Sequence, residues 1–596
     1  MLFPQLDFTD GSWHTYRLRL GVVRRNGESY IRTLQLMLSR LKLAIAIVIL
    51  LVVVAWQRAD WAQVAQWRED QACNLWIGYV QPVLDLPVGL ISSVRTPNPN
   101  GMPLLAEALS LLPNLWAISS VVGFIQGALL IWVCALLMQP TWRFLLLAVP
   151  VLSSVLLSAT SVEFWNNWIL GSLNLAFFGC YMTYLRTRSL WPIVGCVFLM
   201  LYAPAVYLAG LVNALLYFAF SVFALLRYPP ERQRWIGLRG HVPPALTALL
   251  IALSMLYVTW LPYAEVILDK SVPTPSLTQD GPSERLLHAF EAALDFPRWS
   301  LLHWYRKGRD SFLQSSGDII GREGEQLLSW SESLLFAQSA LTLLALGVAL
   351  TRRVMLARTA LEQGLFVPGK TWHGRMLLSS LAFVWLAVSL SPLVGGPHWT
   401  RSERVDQQVQ FLPFLFIASF ALPHVLTLPV WLRAHVQRAS VLIAVLFSAV
   451  NIVAGPQIVR AHLSYDGEEL TPADIPLAQQ RAVARFVAED WKKFSTSNRV
   501  PIFYKHGQEW VIDFGKKLLP FYNAPMVVGR AIDFELSRVY GLQNAQEGIQ
   551  KRSSRGARYI VTYRSRAAPE GRAAQHYTIG RMRVTVMQTE LGVRAR

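Results

Sequence analysis

Long apolar runs alternate with short polar segments along most of the chain. A membrane-spanning helix needs roughly 20 predominantly apolar residues, and eleven runs approach or exceed that length. They cover residues 41–57, 113–138, 143–160, 164–186, 189–206, 208–226, 243–264, 332–351, 376–394, 409–432 and 438–455. The division within 189–226 is set at Ala203-Pro204, because a proline can end one helix and begin another. A single kinked span there would change the parity. The pattern predicts a polytopic α-helical membrane protein with about 11 transmembrane helices.

The pattern changes after residue 455. The stretch "PLAQQRAVARFVAEDWKKF" has the apolar spacing of an amphipathic helix. The β-rich runs "RVPIFY", "PMVVG", "RYIVTY" and "MRVTVM" follow it, with helical stretches between the first three. We therefore expect a segment over 1–40, a transmembrane domain over 41–455 and a small α/β domain outside the membrane over 456–596.

Basic residues at the ends of these runs predict the orientation. The first 42 residues carry Arg17, Arg19, Arg24, Arg25, Arg32, Arg40 and Lys42. With eleven spans, the basic loops near 186–188, 232–239, 352–375 and 433–438 lie on the same side as that segment. Basic loops stay in the cytoplasm, so the loops 58–112 and 265–331 and the C-terminal domain should face outward. The first run follows about 40 polar residues and lacks a small-residue cleavage site, as expected of an anchor rather than a signal peptide.

The composition of the chain indicates which classes of partner it can bind. The chain is 53% hydrophobic and 15% charged, with 22 tryptophans and a net charge of +18. The basic residues are dispersed between apolar runs, without a base-stacking module, so anionic or phosphate-bearing membrane lipid is a better partner than nucleic acid. The four cysteines include no CxxC pair. Neither a disulfide framework nor a zinc site is indicated.

Two adjacent carboxylates stand out in the first outward loop. Glu69 and Asp70 lie in "WREDQACNLW", about a dozen residues after the first apolar run. They are either ordinary solvated charges or part of a site at the membrane surface, and the tryptophans around them suit the interface. The same loop continues through the proline- and glycine-rich "TPNPNGMPLL". Glu163 follows in "SVEFWNNW" at the next outward turn.

These segments resemble those of bacterial members of the GT-C fold glycosyltransferases, a family of integral membrane enzymes. "WREDQACNLWIGY" is similar to the family's acidic loop-one motif, and "TPNPNGMPLL" to the segment after it. "SVEFWNNWILGSL" and "RSERVDQQVQFLPFLFIASFALP" resemble the starts of two later spans, although Val405 stands where the family usually has tyrosine. The resemblance implies a polyprenyl-phosphate-linked sugar donor and transfer at the outer face of the cytoplasmic (inner) membrane, in the cell envelope. The acceptor, a glycan, lipid or protein, stays open.

The resemblance also implies site residues. A loop-one carboxylate would accept the proton of the acceptor hydroxyl in an inverting transfer; Asp70 is the first candidate and Glu69 the alternate. The leaving phosphate needs cations, for which Arg95, Arg401 and Arg404 are candidates, with His398 a weaker one. Glu163 would orient the acceptor, hold a divalent cation (Mg or Mn), or cap the next helix. Each arginine has the alternative role of an interfacial residue that reaches toward lipid headgroups.

Other classes of membrane protein compete with this hypothesis. A flippase or ion-coupled transporter is disfavoured, because the spans are nearly free of charge at their centres and the halves do not repeat. A polymerase or ligase of lipid-linked glycans and a non-enzymatic assembly factor remain as alternatives. In the C-terminal domain, Arg530, Asp533 and Glu535 are expected to form a charged rim on packed structure, with a scaffold role favoured over acceptor binding.

Overall fold

The structure is a computed structural model. It describes residues 41–65, 69–80, 98–138, 143–208, 210–230, 242–268, 282–294, 317–362, 372–395, 409–426, 428–465, 475–504, 529–545, 557–563 and 574–587, and single positions at 38, 67, 89, 301, 305, 306 and 309. These residues form a bundle of apolar helices and a small α/β region at the C-terminal end of the chain.

The bundle and its connecting segments contain sixteen described α-helices. They are α1 Leu41–Trp61, α2 Glu69–Val80, α3 Gly101–Leu109, α4 Leu115–Met138, α5 Arg143–Ser153, α6 Val155–Ser161, α7 Asn166–Thr187, α8 Trp191–Val206, α9 Gly210–Arg227, α10 Val242–Met255, α11 Leu261–Leu268, α12 Pro282–Leu294, α13 Gly317–Glu362, α14 Trp372–Gly395, α15 Leu412–Val425 and α16 Val430–Ser464. A π-helical turn, Leu256–Trp260, connects α10 to α11, and a 3-10 turn, Val409–Phe411, precedes α15.

The number of full-length spans is smaller than the eleven predicted. Within the described residues, seven helices are long and apolar enough to cross a membrane, and the bent pair α5–α6 makes an eighth. The three remaining runs form shorter apolar helices over Trp191–Val206, Ser379–Leu390 and Leu412–Val425. Prolines lie in the last turns of α8 (Pro204) and α15 (Pro423). A proline lacks the backbone N–H that a helix needs and its ring clashes with the preceding turn, which favours the end of a helix. Two helices are present, as predicted for the runs 189–206 and 208–226, but the break does not fall at Ala203-Pro204: α8 continues through Pro204 to Val206, and α9 begins at Gly210.

Apolar side chains cover the outer surface of the bundle. On α1, Leu41, Val48, Val52 and Trp56 are all exposed, and only 11% of that helix's apolar window is buried. Helices with such surfaces are stable in lipid, where apolar exposure has no penalty. The described part of the chain is therefore a multi-pass α-helical membrane protein.

The first and last spans end on the same side of the bundle. The backbone nitrogens of Leu477 and Ala478 donate to Ala65 and Gln63, just beyond α1, and the guanidinium of Arg581 lies 4.8 Å from the ring of Tyr465, just beyond α16. We call this end of the bundle the α/β side. Because the chain leaves both α1 and α16 there, the number of crossings from α1 to α16 is odd, as it is for the eleven predicted spans.

The α/β region packs two helices on a mixed sheet. Its elements are α17 Leu477–Phe494, β1 Arg499–Val500, β2 Ile502–Tyr504, α18 Gly529–Tyr540, β3 Gln543–Asn544, β4 Tyr559–Tyr563, β5 Ala574–Ile579 and β6 Met582–Met587. Four strands have the order β2-β4-β6-β5, with β2 and β4 parallel and the other pairs antiparallel, and β1 pairs with β3. The helix and three of the strand runs predicted here are confirmed. The run "PMVVG" lies outside the described residues except for Gly529, which begins α18.

Polar side chains inside the bundle are paired with each other. Asn174 on α7 and Asn213 on α9 both donate to the Gln410 side chain, over 3.3 and 2.9 Å, and the hydroxyl of Tyr217 donates to Asn174. All four are buried. Such bonds fix helices that apolar packing alone would allow to slide against each other.

Candidate functional site

The predicted site residues divide into described and undescribed positions. Glu69 and Asp70 form the first two positions of α2, but only their backbone is described. Arg95, His398, Arg401 and Arg404 lie outside the described residues. Glu163 is described and buried, with 8% of its surface exposed. What can be tested is therefore whether the segments that carry Glu69, Asp70 and Glu163 meet.

They meet through a pair of aromatic rings. Trp67, two residues before α2, stacks on Phe164, the residue after Glu163, with ring centroids 5.8 Å apart. The Trp67 indole nitrogen also donates to Ser119 Oγ on α4 over 3.1 Å. Both rings are buried. The start of α2 is therefore fixed against the turn that bears Glu163, although their sequence positions lie almost a hundred residues apart.

A break between α5 and α6 shapes the Glu163 turn. The two helices meet at an angle of 65°, and Ser154 caps α6 by accepting from Leu157 N. The backbone nitrogen of Val155 donates instead to Asn451 Oδ1 on α16 over 3.0 Å. Because these groups compensate for the interrupted helix hydrogen bonds, α6 can bend and end at Ser161, which leaves Glu163 in the turn before α7.

Arg58 is a buried cation beside this turn. It is fully buried in the last turn of α1, where Nη1 donates to Ser158 Oγ on α6 and to the Gln57 side chain. Its Nε and Nη2 atoms have no hydrogen-bond partner among the described residues. No carboxylate forms an ion pair with Arg58 within that part of the chain. An arginine buried in this way is costly, which marks a functional site by default.

Two glycines explain how Arg58 reaches this position. A side chain at Gly127 on α4 would meet Val54 of α1, and one at Gly123 would meet both Arg58 Cβ and Val162 Cγ1, at 3.1 and 2.9 Å. Gly123 and Gly127 form a G-x-x-x-G pair, which lets two helices approach closely in a membrane. The α1–α4 contact therefore brings the stem of Arg58 next to the residue that precedes Glu163.

The sequence analysis missed Arg58 because it ended the first span at residue 57. A signal was present: Val54, Arg58 and Trp61 have the spacing i, i+4 and i+7, which is typical of one face of a helix, and all three are buried. The arginine on this face continues the helix rather than ending it.

The proline- and glycine-rich segment packs closely against the bundle at Asn100 and Gly101. At Gly101 an added Cβ would lie within 2.5 Å of the Ala205 carbonyl oxygen, so only glycine fits. The hydroxyl of Tyr202 donates to the Gly101 carbonyl over 3.0 Å, and the Asn100 side chain donates to Val258 O in the π-helical turn over the same distance. The start of α3 is therefore held on α8 and on the π-helical turn.

Other buried carboxylates are stabilised by neighbouring cations or by hydrogen-bond donors. Glu332 on α13 pairs with Arg306 and Arg309, at 3.1 and 2.5 Å. Asp533 accepts from Tyr504 and Asn544. Both Asp533 and Glu535 are buried, so the predicted charged rim is wrong for these two residues, and hydrogen bonds compensate their charge.

The described residues do not by themselves make a metal site. No three His, Cys, Asp or Glu side chains in the described ranges lie close enough to hold a cation. Glu163 would need carboxylates from elsewhere, such as Glu69 or Asp70.

Taken together, fold and site define a multi-pass helical membrane protein that has a buried cation and carboxylate-bearing turns on its α/β side. No protein-family model matches the sequence, and no curated protein sequence is significantly similar to it. Among solved structures, the chain is similar to the crystal structure of ArnT from Cupriavidus metallidurans in the apo state, with a TM-score of 0.44 and 11% identity, over 91% of this chain and 98% of that one. A similarity this low establishes neither a family nor an activity.

Proposed function

We propose that the protein is a glycosyltransferase that moves a sugar from a polyprenyl-phosphate-linked donor to an acceptor at the outer face of the membrane. The observation that carries the proposal is Arg58, a fully buried guanidinium with two hydrogen-bond donors unused among the described residues. A buried cation of this kind is stabilised by an anion with several acceptor oxygens. A phosphate group meets that requirement.

The position of Arg58 favours a lipid-linked phosphate over a soluble one. Arg58 lies in the last turn of α1, whose remaining face is apolar and exposed to lipid, as Val52 and Trp56 illustrate. A polyprenyl phosphate would place its chain along such a surface and its head group at the end of the span. The anomeric carbon of the attached sugar then lies at the membrane surface, where the loop carboxylates are expected.

The proposed reaction needs one base. An acceptor hydroxyl attacks the anomeric carbon, its proton passes to a carboxylate, and the polyprenyl phosphate leaves with the electron pair of the broken bond. Direct attack inverts the anomeric centre. We assign the base to Asp70, with Glu69 as the alternate. The stacking of Trp67 on Phe164 supports the assignment, because it fixes the start of α2 beside the Glu163 turn.

The remaining roles follow the sequence hypothesis. Arg95, Arg401 and Arg404 would add charge to the phosphate site, and His398 would add a hydrogen bond. Glu163 would orient the acceptor or complete a site for magnesium or manganese with a loop-one carboxylate. Activity after treatment with EDTA, followed by addition of Mg²⁺ or Mn²⁺, tests the cation.

A transfer assay tests the proposal. The full chain in lipid nanodiscs is incubated with radiolabelled polyprenyl-phosphate-linked sugars and a cell-envelope extract as acceptor, and the release of polyprenyl phosphate is followed. We expect turnover in the wild type and its loss in the Glu69→Gln, Asp70→Asn double variant. Arg58→Gln should raise the donor KM by roughly 10-fold or more, the value of a charged hydrogen bond. Arg58→Lys, which retains the charge, should be intermediate.

The matched control is Arg186→Gln, which removes an exposed arginine at the opposite end of α7 and should leave the donor KM unchanged. A flippase would instead move the labelled lipid across the bilayer without cleaving it. A polymerase or ligase would transfer a preassembled glycan and be indifferent to the double variant. Either outcome would refute the proposal, provided that size-exclusion chromatography shows the protein to be folded.

A further inference from the structure

A cavity of about 490 Å³ lies where the α/β region meets the bundle. Small-molecule sites typically have volumes of about 300–1,000 Å³. We call it the junction cavity. Its lining residues are Gln63, Trp116, Leu477, Ala478, Arg481, Ala482, Arg485, Glu535 and Tyr540. It is therefore built from the segment after α1, the first turn of α4, and both helices of the α/β region.

The charge of the junction cavity is positive. Arg481 and Arg485 are one turn apart on α17 and therefore share a face of that helix. The Glu535 carboxylate is already engaged: Oε1 accepts from Leu115 N over 2.8 Å, and Oε2 lies 3.4 Å from Arg481 Nε. Arg485 is exposed and forms no ion pair with a carboxylate among the described residues, although Glu489 lies one turn further along α17. Its charge is thus available to a ligand.

Two aromatic side chains complete the wall. The indole nitrogen of Trp116 donates to the Ala59 carbonyl of α1 over 2.9 Å, so the ring is fixed at the end of the first span. Tyr540, in the last turn of α18, lines the cavity together with Arg485. Aromatic walls with a few convergent polar groups are typical of small-molecule sites, and a fixed indole beside a hydroxyl suits the C–H faces and hydroxyls of a sugar.

We propose that the junction cavity binds a saccharide that carries a carboxylate or phosphate group, with the anion on Arg485 and Arg481 and the sugar ring against Trp116. The proposal that this ligand binds depends only on the residues of the junction cavity. The ligand's role as the acceptor, or as part of it, rests on the proposed function. That role has a geometric basis, since Trp116 joins the cavity to Ala59, the residue after Arg58.

Calorimetric titration of the full chain in nanodiscs tests the binding without any lipid donor. The probes are glucose 6-phosphate, glucuronate, glucose and inorganic phosphate. We expect at least one of the two anionic sugars to bind roughly 10-fold more tightly than glucose and than phosphate alone. The stronger of the two anionic sugars identifies the anion as phosphate or carboxylate.

Variants assign the binding to the cavity. Arg485→Gln should weaken binding of the anionic sugar by roughly 10-fold, and Ala482→Phe should block it by filling space without removing charge. Arg499→Gln, which removes an exposed arginine that does not line the cavity, should leave it unchanged. No binding of either anionic sugar, equal binding of inorganic phosphate, or binding unaffected by both cavity variants would overturn the inference.

The two proposals fail separately. If the anionic sugar binds but the labelled donor is never cleaved, the cavity assignment stands and the glycosyltransferase proposal fails. If the donor sugar is transferred but neither anionic sugar binds, the glycosyltransferase proposal stands and the junction-cavity assignment fails.

Discussion

The ring of Trp67 stacks on the ring of Phe164, with centroids 5.8 Å apart and an angle of 24° between the planes. This contact links the segment after the first span to the turn before α7. It connects the two parts of the chain that carry the candidate carboxylates. If those carboxylates act together, their spacing depends on this pair of rings.

Trp67→Ala should therefore reduce turnover by roughly 100-fold, the effect of a displacement of about 1 Å at a reacting group. The substitution removes the stack, which contributes about 0.5–1.5 kcal/mol, and the hydrogen bond to Ser119. Trp67→Phe keeps a ring and should retain much of the activity. Transfer rates and thermal unfolding measure both effects. Trp191→Ala, at an exposed tryptophan on α8, is the control, and wild-type turnover in Trp67→Ala would contradict the positioning role.

Asp70→Asn keeps the shape of the side chain and removes the proton-accepting charge. If Asp70 is the base, turnover should fall by about 10²–10⁴-fold with little change in the donor KM, the behaviour of a group that acts mainly in the transition state. Single-turnover rates and donor KM values provide the measurement. Glu69→Gln tests the alternate base, and Glu107→Gln, at an exposed carboxylate of α3, is the control. If turnover is lost only in Asp60→Asn, at the end of α1, the base is not a residue of α2.

The stability of the junction between the α/β region and the bundle should depend on pH through Glu535. Burial is the main cause that raises the pKa of Glu535 above its ordinary value of 4.5, and the opposing interactions with Leu115 and Arg481 lower it. The folded protein therefore holds this proton more tightly than the unfolded chain does. The stability gained in this way is present below pH 4.5 and is lost as the pH rises through the folded-state pKa.

The comparison with Glu535→Gln isolates this effect, because the variant has no titrating group at that position. The Tm of the wild type minus that of the variant should fall as the pH is raised from 4.5, and then level off. A difference in Tm that stays constant with pH would show that the pKa of Glu535 is the same in the folded and the unfolded protein.

Reporter fusions test the orientation. A fusion at residue 30 and one after residue 596 should report opposite sides of the membrane, because α1 separates its own start from the α/β side. The arginine distribution predicts that residue 30 is cytoplasmic. Reporters on the same side would mean that the number of crossings is even and that the predicted outer location of the α/β region is wrong.

Local patterns in the sequence predicted much of the fold. The apolar runs became helices, although the runs 143–160, 243–264 and 409–432 are each divided between two of them. The amphipathic spacing in 477–494 became α17, which buries Val483, Val487 and Trp491. Strand β5 was missed, because "AQHYTI" has few apolar residues and is largely exposed. Its place in the sheet comes from pairing with β6, which composition does not reveal.

Contacts between distant segments could not be predicted. Asn174 and Gln410 pair across 236 positions, and Trp67 meets Phe164 only after α4, α5 and α6 have packed. The apolar pattern predicts which residues are shielded from water, but it does not predict which helices become neighbours. For the same reason Glu163 could be proposed from its position in a loop, whereas the burial of Arg58 depends on the fit of α1 against Gly123 and Gly127.

The hydrogen bond from Leu115 N to Glu535 has a consequence for biogenesis. It joins residues 420 positions apart, so α4 enters the membrane long before the ribosome has made the carboxylate that caps it. Until synthesis reaches α18, the backbone nitrogen of Leu115 lacks this acceptor and Tyr79 lacks the Phe534 ring on which it packs. A chain that terminates early therefore exposes a backbone nitrogen and an aromatic ring without these partners at one end of its bundle. Membrane proteases that recognise such surfaces would distinguish it from the complete protein.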